Sequence, residues 1–384
     1  MEKKRKKAIS LEAFVFLAAF LLCFGAVGTK MGISNMMQTM MATAYDLLVN
    51  TVLNITAIAV LAGAIAAVLS EFGVIALFNK IITPLMKPLY DLPGASAVGI
   101  FTTYMADNPA ILSLAEDKNF KRYFKKYQLP ALTNLGTAFG MGLIVSTYMM
   151  TLPLTGENLG LAIAIGNLGA IIGSIVSVRI MLHFTKKEYG TTEYCIPPEE
   201  GDDDIMNTRE IRSGSVAGRI LDAMLEGGKS GVEVGVAIIP GVLIICTIVM
   251  MLTYGPSADG YTGAAYEGVA LFPWIGEKLS FILKPLFGFT SSSAISVPIT
   301  ALGAAGAAIG LIPEMALNGS VHGNDVAVFT AMCMCWSGYL STHVGMMSAL
   351  KTPHLTGKAI ISHTIGGLCA GVAANFLFHL VSLI

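Results

Sequence analysis

The chain has 384 residues, 54% hydrophobic and 13% charged, with a mean hydropathy of +0.69 and a formal net charge of −1. An ordinary soluble domain carries about 25% charged residues, and a single core of this size could not hide so much apolar surface. The composition excludes a disordered chain, a nucleic-acid binder with a basic face and a typical cytosolic enzyme, and it points to an all-α polytopic membrane protein.

A membrane helix needs about 20 mostly apolar residues. Residues 8–29 qualify first, behind the basic run Lys3-Lys4-Arg5-Lys6-Lys7. That start fits a secretory leader. The apolar stretch is as long as a span, however, and the Gly25–Gly32 region has no clear small-x-small cleavage site, so a retained helix is expected. A second span covers 51–70. Region 72–115 is apolar but interrupted by Pro, Gly and Ser. It divides into a helix at 72–90, rich in aromatic and basic residues (Phe78, Lys80, Lys87, Tyr90), and a hairpin candidate at 92–115. Such residues favour the headgroup level, so 72–90 is expected to lie along an interface.

Spans at 129–152 and 158–183 follow. The polar run 185–212, with Pro197-Pro198-Glu199-Glu200-Gly201-Asp202-Asp203-Asp204, reads as a solvated linker rather than a cation site. Residues 214–229 form an amphipathic helix candidate at the inner interface. After a span at 231–253 comes a second helix of aromatic and basic residues at 271–287 (Phe272, Trp274, Lys278, Lys284, Phe287). A second hairpin candidate at 289–312 and spans at 326–350 and 358–383 complete the chain. The expected division is 1–50, an N-terminal helix and outer loop; 51–184, a first repeat; 185–230, linker and amphipathic helix; and 231–384, a second repeat.

Basic residues set the orientation. With the N-terminus in the cytoplasm, the inner loops 1–7, 117–127, 184–230 and 351–358 hold 18 Lys plus Arg. The outer loops 30–50, 153–157, 254–270 and 313–325 hold one, Lys30. The C-terminus then lies outside.

An internal repeat changes the reading. Met86-Lys87-Pro88-Leu89-Tyr90 recurs as Leu283-Lys284-Pro285-Leu286-Phe287, 197 residues on. The same spacing aligns Ser96-Ala97-Val98 with Ser293-Ala294-Ile295, Thr103 with Thr300 and Thr133 with Thr330. Over 86–110 it gives seven identities without a gap. Three spans separate the copies, and three is odd, so the second copy is inverted. Inverted repeats characterise many secondary transporters, whose site lies at the repeat interface near the midplane.

The hairpins mark that site. Half-helices of about ten residues are too short to cross separately, and a re-entrant tip is tolerated only where it faces protein or a wet cavity. Tip one, Thr102 to Pro109, offers Thr103, Asp107 and Asn108. Tip two, Leu302 to Ala307, offers exposed backbone, with Ser291, Ser292, Ser293 and Ser296 before it. Asp107 deep in a membrane demands pairing or function. The following spans add Asn134 in the first copy and Ser337, Ser341 and His343 in the second. Thr103, Asp107, Asn108, Asn134, Ser296, Ser337 and Ser341 are the expected solute-binding residues, and Asp107 and His343 the expected coupling-ion or proton groups. His343 reads equally well as an interhelical hydrogen-bonding group. His322-Gly323-Asn324-Asp325 either lines an entry path or is solvated, and Arg179 and His183 end a helix on the inner side.

Six scattered cysteines make no disulfide framework. Cys333 and Cys335, two apart on a helix, do not face each other, so helix packing explains them better than a metal. The sequence has no phosphate loop, nucleotide fingerprint, HExxH or GxSxG, which disfavours an enzyme or an ATP-driven pump.

Interfacial helix, re-entrant hairpin and span, repeated inverted, resembles the Gate or nucleoside-recognition domain superfamily of membrane proteins. Its members include concentrative nucleoside transporters, spore maturation proteins A and B, and the YjiG/YjiH type. The residues Lys87-Pro88-Leu89-Tyr90-Asp91-Leu92-Pro93-Gly94-Ala95-Ser96-Ala97 carry the likeness, with Lys284 to Ala294 as their partner. It covers roughly 50–155 and 231–350, and Met105-Ala106-Asp107-Asn108 occupies the place of the family's ligand-contacting first tip. The resemblance implies an ion-coupled secondary transporter of a small polar solute, nucleoside-like or another metabolite, in a bacterial cytoplasmic membrane. Na+ or H+ would be the coupling ion, with no cofactor, no nucleic acid and self-association as an option. The alternatives are a spore-maturation-type membrane assembly protein and a divalent metal channel.

Overall fold

The computed structural model describes residues 7, 9–106, 109–116, 118–197 and 211–383. Among them are helices and two isolated bridges, Lys125–Tyr194 and Ser257–Gly260. Six helices are long and apolar enough to cross a bilayer: Leu11–Met31, Ile33–Glu71, Leu129–Met150, Leu159–Tyr189, Val216–Thr253 and Pro353–Ser382. A further apolar element is broken into Gly323–Cys335 and Tyr339–Ala349. Residues 3–6 of the basic start and the acidic run 198–204 lie outside the described residues.

Two elements run longer than the hydropathy pattern indicates. The span expected at 51–70 is the end of one helix, Ile33–Glu71. Its first half is too polar to register as a span because that half packs on protein. Asn35 Nδ2 donates to the Tyr261 carbonyl at 2.8 Å, Thr43 Oγ1 accepts from Tyr266 N at 3.0 Å, and Asp46 accepts from the Tyr266 hydroxyl. Likewise 214–229 is not a separate interfacial helix but the start of Val216–Thr253. Its amphipathic pattern is a stripe of small residues facing another helix.

That stripe explains the central crossing. In lipid, helices gain little from burying apolar surface, so close backbone approach at small residues drives association. A Cβ built on Gly63 would stand 2.4 Å from the Gly227 carbonyl oxygen, and one on Gly231 would stand 2.4 Å from that of Ala59. One on Gly235 would meet Thr56 Oγ1 at 2.2 Å. Contacts running from 63 to 56 against 227 to 235 make the pair antiparallel. One end of the crossing is closed by an ion cluster, in which Glu71 binds Arg212 at 2.6 Å and Arg219 at 2.7 Å. Each helix also contains one wide, π-helical stretch, Leu47–Val52 and Gly241–Cys246. Such stretches recur at functional positions.

Helices Leu159–Tyr189 and Pro353–Ser382 form a second antiparallel crossing. A Cβ on Gly169 would meet the Ala370 carbonyl oxygen at 2.7 Å, one on Gly173 that of Gly366 at 2.5 Å, and one on Gly366 that of Gly173 at 2.7 Å. In both crossings equivalent helices of the two repeats pair head to tail, as an inverted duplication requires.

The backbone repeats too. Residues with left-handed φ fall at Gly73 and Ala270, at Asp91 and Gly288, and at Met141 and Gly338. Each pair is 197 residues apart. They mark, in turn, the entry to the interfacial helix, its exit, and the break in the following span. Where one copy uses glycine the other uses a residue that pays about 1–2 kcal/mol for this conformation. The interfacial helices are Val74–Tyr90 in the first copy and Leu271–Lys278 with Ser280–Phe287 in the second. Their final carbonyls are held alike. Arg179 Nε donates to Leu89 O at 2.8 Å, and Asn375 Nδ2 to Leu286 O at 3.1 Å. Gln128 Nε2 donates to Asp91 O at 2.7 Å, and Asn324 Nδ2 to Gly288 O at 3.2 Å. These side chains satisfy helix-end carbonyls that have no partner in the helix itself. At the first exit the Asp91 carboxylate pairs with Lys87 and, at 2.6 Å, with Lys186. Burial alone would raise this carboxyl; the two lysines hold it below the usual carboxylate range.

The loop before the second interfacial helix is built around Glu267, which is 2% exposed. Its carboxylate accepts from Ser257 Oγ at 2.7 Å, Thr262 N at 3.0 Å, Thr262 Oγ1 at 2.7 Å and Gly263 N at 2.9 Å. Burial pushes this acid up, and the hydrogen bonds override it, leaving it at about 2 against an ordinary 4.5. A lowered folded value means that the stabilisation is complete above the ordinary value and is lost as pH falls toward the folded one. The thermal midpoint in detergent should therefore drop between pH 4.5 and pH 2. Glu267→Gln should lower the neutral-pH midpoint and shrink that drop; an unchanged acid limb would contradict the assignment.

Candidate functional site

The two hairpins form as expected. Ser96–Met105 folds back on Pro109–Glu116, and Ser292–Ala301 on Ala305–Leu317. A ten-residue helix rises about 15 Å, half of a bilayer core. Asp107 and Asn108 lie outside the described residues, as does the side chain of Ser341.

The tips have different neighbours. Near tip one, a Cβ on Gly142 would meet the Tyr104 ring at 2.2 Å, just past the break in the first span. The Tyr104 hydroxyl contacts Ser146 Oγ at 3.3 Å, which also receives Asn167 Nδ2 at 3.0 Å. Ile111 is wedged between Gly99 and Gly136, each within 2.5 Å of it for a built Cβ. Tip two sits on the π-helical stretches of the long helices. Cys246 Sγ donates to Ala307 O at 2.9 Å, and Gly306 faces Ile238.

The expected site residues divide accordingly. Thr103 and Ser296 are buried, and their hydroxyls bond back within their own hairpins, to Gly99 O at 2.8 Å and Ser293 O at 2.7 Å. Ser337 is buried in the break of the second broken span. Asn134 and His343 belong to one polar cluster, together with two residues absent from the sequence-based set, Ser177 and His363. All four are 0% exposed. Asn134 Nδ2 donates to Ser177 Oγ at 2.9 Å and to Ala359 O at 3.0 Å. Ser177 Oγ is 2.9 Å from His363 Nδ1. His363 Nε2 contacts the Cys335 carbonyl, and His343 Nδ1 that of Tyr339. The two imidazole centroids are 4.8 Å apart. Four elements from both repeats meet here. An ionisable residue inside a span is a site candidate by default, and His363, inside the span expected at 358–383, carried that signal.

Of His322-Gly323-Asn324-Asp325, His322 is exposed and the other three are buried. Asp325 is fully buried and accepts from His322 N at 3.0 Å and Thr290 N at 3.2 Å. It caps Gly323–Cys335 and ties the second hairpin to it. Cys333 and Cys335 are buried, with Cys335 Sγ turned to Ala170 O at 3.6 Å. A core position for both is the packing role expected.

No family model matches the chain, and no curated protein matches it significantly. Solved structures do. The concentrative nucleoside transporter CNTnw in an inward-facing substrate-bound state is 17% identical, with a TM-score of 0.55 over 96% of this chain and 85% of that one. A doubly substituted CNTnw in an outward-facing state gives 16% and 0.54 over 96% and 86%. A singly substituted CNTnw in an intermediate state gives 15% and 0.53 over 95% and 85%. At these identities the likeness concerns architecture: the chain is an all-α polytopic membrane protein with the fold of CNTnw.

Proposed function

We propose that the chain is a secondary transporter that carries a small polar solute across the bilayer by alternating access. The observation that carries this reading is the inverted duplication. It comprises two hairpins and two broken spans, and a buried polar cluster lies at the second crossing of equivalent helices. The fold it shares with CNTnw, solved in inward-facing, intermediate and outward-facing states, supports it. A nucleoside or similar metabolite is the solute class, and Na+ or H+ drives uptake. Asp107 and Asn108 bind the solute or coupling ion at the first tip, with Thr103, Asn134, Ser296, Ser337, Ser341 and His343 around them. The functional units are the repeats 51–184 and 231–384, extended to the helix starts at Ile33 and Val216. The N-terminus faces the cytoplasm of a bacterial cell and the C-terminus the outside.

The test is gradient-driven uptake into proteoliposomes. Its partner is thermal stabilisation of the detergent-purified protein by nucleosides, nucleobases, amino acids and organic acids, each with and without Na+ and at two pH values. A ligand of the folded state raises the midpoint by mass action. Asp107→Asn should abolish concentrative uptake while the protein still folds. Uptake unchanged by Asp107→Asn removes that residue from the mechanism. Neither uptake nor a stability shift for any compound argues for a partner-dependent assembly role.

A further inference from the structure

Hydrogen-bond direction in the buried cluster is fixed by its carbonyls, because a carbonyl oxygen only accepts. Asn134 turns its nitrogen to the Ala359 carbonyl, so its orientation admits no flip. Its two N–H bonds are spent on Ala359 O and Ser177 Oγ. His363 turns Nε2 to the Cys335 carbonyl, so Nε2 carries the proton and Nδ1 accepts from the Ser177 hydroxyl. The result is a one-way chain, Asn134 to Ser177 to His363 to Cys335 O. Its last carbonyl ends the helix Gly323–Cys335, at the break of the second broken span.

His343 is fixed in the same way. Its Nδ1 faces the Tyr339 carbonyl and carries the proton, which leaves a lone pair on Nε2. Among the described residues no carboxylate bonds either ring, so both imidazoles are neutral acceptor–donor groups rather than cations. Two acceptors are then left over: His343 Nε2 and Asn134 Oδ1 are buried and have no partner among the described residues. Two buried acceptors of one cluster that lack a partner among the described residues are places for a donor from outside the chain.

We propose that His343 Nε2 accepts a hydrogen bond from a hydroxyl or N–H group of the transported solute, with Asn134 Oδ1 as a second acceptor. His363 and Ser177 are positioning residues: the chain through them orients Asn134, and the His363 ring packs against His343. This deepens the transporter reading and rests on it, but gives His343 a solute-binding role in place of a proton-carrying one. The selectivity that follows is for solutes rich in donors at that contact.

The experiment has two arms. The first measures Kd of the detergent-purified protein for uridine, 2′-deoxyuridine and 3′-deoxyuridine, with wild type and His343→Leu. One hydrogen bond to a neutral acceptor corresponds to about tenfold in affinity. Wild type should prefer uridine over at least one deoxy analogue by about that factor, and His343→Leu should bind uridine weakly and lose the preference. A preference that survives His343→Leu overturns the proposal. The second arm needs no variant and no known ligand. Nitrogen-15 NMR of histidine-labelled wild-type protein should show His343 protonated at Nδ1 with an unbonded Nε2. Ser177→Ala should perturb the His363 Nδ1 resonance and leave that tautomer of His343 in place. A His343 protonated at Nε2, or an Nε2 already hydrogen-bonded to resident water, overturns the proposal. Failure of every nucleoside to bind wild type would count against the solute class and leave the second arm to decide the role of His343.

Discussion

Gly227→Leu should yield almost no monodisperse protein after detergent extraction. At this position a Cβ would stand 2.2 Å from the Gly63 carbonyl oxygen and 2.8 Å from its carbon. Those atoms are backbone, so no rotamer change relieves the clash. The helices Ile33–Glu71 and Val216–Thr253 must part, and Gly231 and Gly235 lose their contacts with Ala59 and Thr56 as they do. Overpacking in a core costs about 1–3 kcal/mol, more where nothing can give. Here nothing can, and the crossing joins the two repeats. Gly25→Leu is the control, since a Cβ there meets nothing within 4 Å; it should elute and melt like wild type. Size-exclusion chromatography with a thermal midpoint decides the matter. A Gly227→Leu protein that melts like wild type would mean that the crossing does not hold the fold.

Asn134→Leu should separate function from folding. The side chain joins the first broken span to both helices of the second crossing, and removing it loses two buried hydrogen bonds, to Ser177 Oγ and to the Ala359 carbonyl, which keeps its own helical partner. Each lost bond is worth about 0.5–1.5 kcal/mol, enough to lower the midpoint but not to abolish the fold. The larger loss should be in uptake, at least about tenfold, because the substitution removes an acceptor and unfastens Ser177 and His363 together. Ser177→Ala, which cuts the same chain one link later and keeps the Asn134 amide, should be milder in both measurements. Equal uptake in wild type and Asn134→Leu would take the cluster out of the transport path.

The readable parts of the fold were those whose signal is local. The N-terminal span, the interfacial helix ending in Lys87-Pro88-Leu89-Tyr90 and the helix beginning near residue 158 lie close to the positions that hydropathy and aromatic content assign. The repeat was legible because Lys-Pro-Leu-aromatic is an uncommon string. The first halves of the two long helices were not. Residues 33–50 hide their polar side chains against a loop more than 200 positions away, and 216–230 hide a glycine stripe against a helix about 160 positions away. In both cases a tertiary contact decides what a local pattern leaves ambiguous.

The candidate site was half legible for the same reason. Asn134 and His343 stand out as strong polar groups in otherwise apolar spans. Ser177 and His363 sit in helices whose average is apolar, and their importance comes from meeting each other across the second crossing. Thr103 and Ser296, legible as hydroxyls near hairpin tips, bond back to the backbone at i−4 and i−3, a habit of hydroxyl side chains in apolar surroundings.

The antiparallel glycine crossing also sets a schedule for biogenesis. The Gly63 segment leaves the ribosome long before Gly227 exists. At the usual 5–20 residues per second the interval is roughly ten to thirty seconds. Throughout it, the first long helix waits in the bilayer with its small-residue face, Thr56, Ala59 and Gly63, against lipid. Lipid tails solvate that face well enough that no apolar surface is left to aggregate, because hydrocarbon is as good a neighbour as another helix until a close-packing partner arrives. Membrane insertion of the first repeat and assembly of the two repeats are therefore separate events in time. The Gly227→Leu chain should complete the first and stall at the second, remaining membrane-inserted and open to proteases.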